Sequence, residues 1–271
     1  MCPFAFGQSA GGELMPIKIL ATDLDGTLFS RNQMPENPRC LRRLFAALKA
    51  NKTRLVYVTG RHLNIVKKAI KENSLARPHA IICSVGTEIY TWHGNWSRNR
   101  KYEKIMNSSN SAYDGKKIRQ ALSQISGLEI QEGEKQSKLK TSYYIPDTSQ
   151  SAGILSQAKR ALKAENAGTR IIYSTQDGTG TGLLDIIPHR ASKKAALEFL
   201  RKKIGADKSE VLVCGDSGND VHMILGGYRA VVVGNCTQEL LCAISGAEGV
   251  YLAKANVACG LLEGYIEIGG K

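Results

Sequence analysis

Residues 17–29 read IKILATDLDGTLF: an apolar run delivers two aspartates, Asp23 and Asp25, to a point where Gly26 lets the chain turn. Continuous hydrophobicity marks a strand buried on both faces, and open α/β sheets bind ligands at the carboxyl ends of such strands. Side chains alternate along a strand and splay where it ends, so both acids can line one pocket across Leu24. Two carboxylates held together repel, and they need a cation, a lysine or a shared proton from elsewhere in the chain. Asp and Gly also favour turns for local reasons, so the meaning of the stretch depends on what the remaining sequence brings to it.

The pattern recurs downstream. Residues 38–51 carry apolar side chains at 41, 44, 45 and 48, a helical period with arginines outside. Residues 54–60, RLVYVTG, form a second strand ending in Thr59, Gly60 and Arg61; 62–73 return as a helix with Ile65, Val66, Ala69 and Ile70 inward; 79–86, HAIICSVG, make a third strand, followed by TEIYTW. This βαβαβ rhythm predicts a Rossmann-like, doubly wound parallel sheet of the α/β class, with right-handed crossovers. After Trp92 it breaks. Residues 93–113 are polar, and beyond them helical stretches at 114–125 and 149–164 mix with strand-like runs at 128–131, 139–145, 170–175 and 182–188, which predicts an inserted α+β cap domain over 93–186. From Ser192 the first rhythm resumes, with a helix opened by Lys193, a strand running into GDSGND at 215–220, a short helix at 220–225, the strand YRAVVVGN and a terminal helix at 257–266. The core is expected over 15–92 and 187–271, and 1–14 as a disordered extension, with Met15 a candidate start.

Composition narrows the class. A chain of 271 residues, 42% hydrophobic, can bury one large core plus a smaller one. No run approaches the ~18 apolar residues of a transmembrane helix, and 1–13 lacks the basic and apolar regions of a secretory signal, so a cytoplasmic protein without membrane contact is expected. The seven cysteines are scattered with no C-x-x-C, which reads as reduced packing thiols and not as a disulfide or zinc framework. The net charge of +13 raises the local concentration of an anionic substrate. Nucleic acid is not the expected partner, because the basic residues are spread over helix faces (Arg39, Arg42, Arg43; Lys67, Lys68, Lys71; Arg201, Lys202, Lys203) without aromatic interleaving. A monomer or weak dimer is expected.

The second acidic strand end joins the first. The run VLVC delivers Asp216 to the edge that carries Asp23, and Gly218 lets Asp220 face the same crevice. Converging carboxylates with oxygen ligands and no histidine suit a hard octahedral cation, with Mg2+ the expected ion. Thr59 and Lys193 add the hydroxyl and ammonium that a phosphoryl group requires. In this order, D-x-D-G-T at 23–27, Thr59, Lys193 and G-D-S-G-N-D at 215–220 resemble the haloacid dehalogenase superfamily of phosphatases. The resemblance implies that Asp23 attacks phosphorus to form an aspartyl-phosphate and that Asp25 protonates the leaving alkoxide and then activates water. It further implies that Asp23, the Asp25 backbone carbonyl and Asp216 hold Mg2+, with Asp220 holding metal water or Lys193, and that Thr59 and Lys193 bind phosphoryl oxygens.

Within that superfamily the chain is most similar to sucrose-phosphate phosphatases, on TGR at 59–61, VGTEIY at 85–90, K-x-S-Y at 140–143 and GDSGND followed by VVVGN. The likeness implies that Gly60, Arg61, Gly86, Thr87, Glu88, Lys140 and Asn219 contact substrate, with sucrose 6-phosphate first, and mannosylfructose phosphate or another sugar or glycerate phosphate next. Glu88 as a solvated turn residue and Lys140 as an exposed strand lysine are the plain alternatives, and His62 and His189 read as surface or helix-end residues. A phosphosugar mutase and a non-catalytic binding protein are the other classes; the full acidic set with Lys193 argues against the last.

Overall fold

A computed structural model describes residues 15–30, 36–109, 113–165, 168–176 and 179–269. The extension expected at 1–14 lies outside the described residues. Strand β1 (Ile19–Thr22) is fully buried and pairs in parallel with β2 (Arg54–Val58) on one side and β10 (Val211–Gly215) on the other. Outward from these lie β3 (Ala80–Cys83), parallel to β2, and β11 (Arg229–Val232) and β12 (Val250–Leu252), parallel to β10. The far edge departs from the all-parallel expectation, because β4 (Glu88–Trp92) and β5 (Trp96–Arg98) add an antiparallel hairpin, giving the order β12-β11-β10-β1-β2-β3-β4-β5. Gly94, with φ of +81°, provides the left-handed residue that closes this hairpin.

Helices cover both faces, as parallel strands buried on two sides require. On one face pack α1 (Asn37–Ala50), α2 (Leu63–Glu72) and α9 (Val257–Glu267), through Leu44, Val66 and Tyr265 among others. On the other pack α3 (Arg100–Ser109), α6 (Lys193–Ile204), α7 (Val221–Ile224) and α8 (Gln238–Ala243), through Tyr102, Leu197, Met223 and Leu240. The 93–113 stretch therefore holds β5 and α3, two elements of the core that its polar composition hid. Tyr102 and Met106, four residues apart on α3, bury 98% and 95% of their surface there, and they are the helical signal in an otherwise charged segment.

The insertion builds a second sheet, β6 (Glu129–Ile130), β7 (Thr141–Ile145), β8 (Thr169–Thr175) and β9 (Gly182–Pro188), antiparallel in the order β6-β7-β9-β8. Alternation divides its residues. Tyr143, Ile145, Leu184 and Ile186 bury against α4 (Gly115–Leu122) and α5 (Ser151–Ala164), through Ile118, Leu122, Ile154, Ala158 and Leu162. Ser142, Tyr144, Leu183 and Asp185 occupy the alternate positions and turn to the opposite face, and three of these four line the cavity described below.

The cysteines correct one expectation. Cys40 of α1 and Cys259 of α9 form a disulfide across 219 residues of sequence, while Cys83, Cys214, Cys236 and Cys242 are free. Helix packing brings the pair together, and sequence spacing holds no trace of it. Among the described residues no helix is long and apolar enough to cross a membrane.

Candidate active site

Asp23 follows β1 directly, its amide donating to the Cys214 carbonyl at 3.0 Å, so the ends of β1 and β10 are laced together where the acids emerge. Lys193, the first residue of α6, points its ammonium between Asp23 (3.1 Å) and Asp220 (2.8 Å), and donates to Asn219 Oδ1 as well. Ser192 caps that helix by accepting from the Ala195 amide, which fixes the turn from which Lys193 departs. Asp220 Oδ2 accepts from the Asp216 and Ser217 amides at 3.2 and 3.4 Å, so one carboxylate shapes the GDSGND loop and holds the lysine. Asp216 accepts from Thr27 Oγ1 at 3.0 Å. Gly26 and Gly215 permit this crowding: a Cβ on Gly26 would lie 2.2 Å from Asp216 Oδ2, and one on Gly215 2.4 Å from Asp220 Cγ.

Burial pushes the Asp23 carboxyl up to about 7, against the pull of Lys193 and with help from Asp220 and Asp25. Asp216 is also raised, by burial and then by Asp220 and Asp23. Burial alone would lower Lys193, but Asp220 and Asp23 outweigh it and hold the ammonium charged. Oxygens of Asp23, Asp216 and Asp220 lie within 4.8 Å of one another, all three buried. Three acids with one lysine remain short of positive charge, and an all-oxygen set of this spacing fits a hard divalent cation.

A cavity of about 240 Å3 opens from these acids to the insertion. On its core side are Asp23, Asp25, Thr59, Gly60, Arg61, His62, Asp216, Ser217 and Asn219; on the insertion side Lys135, Lys140, Tyr144, Ser174 and Asp185. Arg61 clamps Asp25 with two hydrogen bonds, Nε to Oδ2 at 2.6 Å and Nη2 to Oδ1. Lys140 is 3% exposed, and its ammonium sits 3.1 Å from Asp185 and within hydrogen-bonding distance of Ser142 Oγ, so it is a buried partner of a charge and not an exposed strand lysine. Asp185 and Ser142, which sequence reasoning passed over, were readable as the polar positions of two alternating strands.

Three residues expected at the substrate do not line this cavity. Gly86 (φ +90°) is packed against the start of α6, where a Cβ would meet Ser192 O at 2.1 Å, and its carbonyl accepts from Tyr102 Oη at 2.6 Å. Thr87 is buried and donates to the Ser84 carbonyl. Glu88 is engaged by Arg98 and Tyr90. The turn instead props its neighbour, since the Ser84 and Val85 amides donate to the Arg61 and Thr59 carbonyls at 3.0 and 3.1 Å.

An aspartate pair at the end of β1, a lysine at the head of α6, an acidic loop after β10 and an insertion over the crevice are the arrangement of the haloacid dehalogenase type. The family model for sucrose-6F-phosphate phosphohydrolase matches residues 16–267, and the chain belongs to that family. It is 32% identical to a mannosylfructose-phosphate phosphatase of Agrobacterium fabrum over 93% of this chain and 96% of that one. It is 31% identical to sucrose-phosphatase 1 of Nicotiana tabacum over 82% of this chain and 51% of that one. The solved sucrose-phosphatase of Synechocystis, in complex with sucrose and phosphate, superposes with a TM-score of 0.81 at 25% identity, covering 94% of this chain and 98% of that one. Several curated relatives are longer: the chain spans 51% of the tobacco enzyme and 60% of a hydrolase from Nitrosococcus oceani.

Proposed function

We propose that the protein is a Mg2+-dependent phosphatase that hydrolyses a sugar phosphate monoester, sucrose 6-phosphate first, through an aspartyl-phosphate on Asp23. The observation that carries this reading is the buried Asp23 carboxylate 3.1 Å from Lys193 on the wall of a cavity closed by a polar insertion. Asp23 attacks phosphorus and the sugar alkoxide leaves, taking a proton from Asp25, which Arg61 holds in place. In the second half Asp25 accepts a proton from the water that attacks the phosphoaspartate, restoring free Asp23. Lys193 and Thr59 face the phosphoryl oxygens, where the transition state spreads its negative charge. Mg2+, held by Asp23, Asp216 and the Asp25 carbonyl, would neutralise further charge there. Lys140, Asp185, Tyr144 and Asn219 offer the sugar donors and acceptors on both walls.

The coverage of the Agrobacterium relative along nearly its whole length favours a second substrate, mannosylfructose phosphate. Release of inorganic phosphate with Mg2+ from sucrose 6-phosphate, mannosylfructose phosphate and a glycerate phosphate decides among them, and turnover that requires a phosphorylated activator would replace the phosphatase with a phosphosugar mutase. We further place the protein in the cytoplasm as a monomer or weak dimer without nucleic-acid or membrane partners. The free thiols support that compartment and the Cys40–Cys259 pair weighs against it; trapping thiols with an alkylating reagent in intact cells decides.

A further inference from the structure

Arg61 holds the acid of the proposed reaction, and a long side chain needs more than one contact to stay still. Its guanidinium reaches both oxygens of Asp25, Nε to Oδ2 at 2.6 Å and Nη2 to Oδ1. The two side chains keep 26% and 38% of their surface in solvent, so the pair alone is free to swing together.

A third group stands against it. The centre of the Arg61 guanidinium lies 5.5 Å from the centroid of the Phe29 ring, inside the roughly 6 Å over which a cation is drawn to a ring face. The ring is fixed where the carboxylate is not. Phe29 is 9% exposed and packs into the core on the face that α1, α2 and α9 cover. Its carbonyl accepts from the Gly26 amide at 2.8 Å and its amide donates to the Leu24 carbonyl at 3.3 Å, and a backbone bridge pairs it with Asp25 itself. One turn therefore supplies both groups that hold the guanidinium, and its backbone sets the distance between them. A leucine at this position would fill the same core, but it would offer the arginine no ring face.

We propose that Phe29 is a positioning residue of the hydrolysis: its ring holds Arg61, and through Arg61 the Asp25 carboxyl, against the oxygen that leaves phosphorus. The role rests on the phosphatase reading above. As the bond from Asp23 to phosphorus forms and the bond to the sugar oxygen breaks, Asp25 passes its proton to that oxygen. A sugar alkoxide needs the proton, whereas p-nitrophenolate spreads its charge and needs it far less. Phe29→Leu keeps the apolar volume and removes the ring face, and Phe29→Tyr keeps the face. With Mg2+, and with sucrose 6-phosphate or mannosylfructose phosphate according to which the parent prefers, leucine should lower kcat/KM about tenfold. On p-nitrophenyl phosphate it should lower it less than about threefold, and tyrosine should stay within about twofold of the parent on both esters. In an Arg61→Met background the leucine substitution should add no more than about a twofold loss, because the ring acts through the arginine. If Phe29→Leu does not fold, Phe29→Met enters the same cycle. Losses that multiply in the double variant, or equal losses on the two esters, overturn this role alone. A parent that releases phosphate from none of these esters overturns the proposed function and this role with it.

Discussion

In the proposed reaction Asp23 must be ionised to attack phosphorus, yet burial, with Asp220 and Asp25 behind it, raises its carboxyl from 3.8 to about 7 despite Lys193. Between about pH 4 and 7 the folded carboxyl therefore keeps a proton that the unfolded chain releases, so the metal-free protein loses stability as the pH rises through that window. Asp23→Asn should melt higher than the parent at pH 8 without metal and no higher at pH 4; a gap that is constant with pH would remove the buried proton from the account. A cation competes with the same proton, so the rise in melting temperature on adding Mg2+ should be larger at pH 8 than at pH 6. Turnover in Asp23→Asn should fall about a thousandfold or more, because the proposed nucleophile is gone while its oxyanion partners remain. The convergence of Asp23, Asp216 and Asp220 was legible in the sequence because it depends on strand ends, and strand ends are written locally in apolar runs and glycines.

Turns and helices that act by support were less legible. The residues 84–86 carry φ of +50°, +56° and +90°, and two of them, Ser84 and Val85, are side-chain-bearing residues in the left-handed region, a strained run held by the Thr59–Arg61 turn and by α6. VGTE was assigned to substrate through its likeness to sucrose-phosphate phosphatases; nothing local reveals that Gly86 also lets Ser192 approach. Gly86→Ala should cost about 3 kcal/mol in urea unfolding and should displace Lys193, so that hydrolysis of p-nitrophenyl phosphate falls along with that of any sugar phosphate. An unchanged unfolding midpoint would show that the turn tolerates a Cβ. The α1–α9 disulfide was invisible for the same reason, being a product of packing between distant helices. Near α9's start, Asn37 donates to the Leu28 carbonyl and accepts from the Ala258 amide, and Asn235 donates to the Gly26 carbonyl and accepts from the Val257 amide. The disulfide thus braces the helix ends against which the D-x-D-G-T turn rests. Reducing it should lower stability by about 2–4 kcal/mol, and a Cys40→Ser, Cys259→Ser double variant should match the reduced parent and ignore dithiothreitol.

At the scale of the molecule the proposed chemistry belongs to the core and the proposed recognition is shared with the insertion, across the cavity that Asp23 and Lys140 both line. The register places Asp185 in the central strand β9 opposite Ser142 of β7, so Lys140, Ser142 and Asp185 form a charge-paired cluster rigidly tied to the second sheet. A lysine already matched by Asp185 is a directional donor more than a free charge, suited to sugar hydroxyls, while in the proposed reaction the phosphoryl group has Lys193. In the proposed reaction a disaccharide phosphate seated on Asp23 extends into the cavity that Lys140 and Asp185 also line. Lys140→Ala should therefore reduce kcat/KM for the sugar phosphate by about tenfold to a hundredfold, leaving the half-buried Asp185 without its lysine. It should reduce that for p-nitrophenyl phosphate by about threefold or less. Lys140→Ala with Asp185→Asn should recover stability, since the uncompensated charge is removed, but not sugar recognition. Equal losses on both substrates would move Lys140 from recognition to folding of the insertion, and recovery of sugar turnover in the double variant would assign the defect to the stranded Asp185 charge.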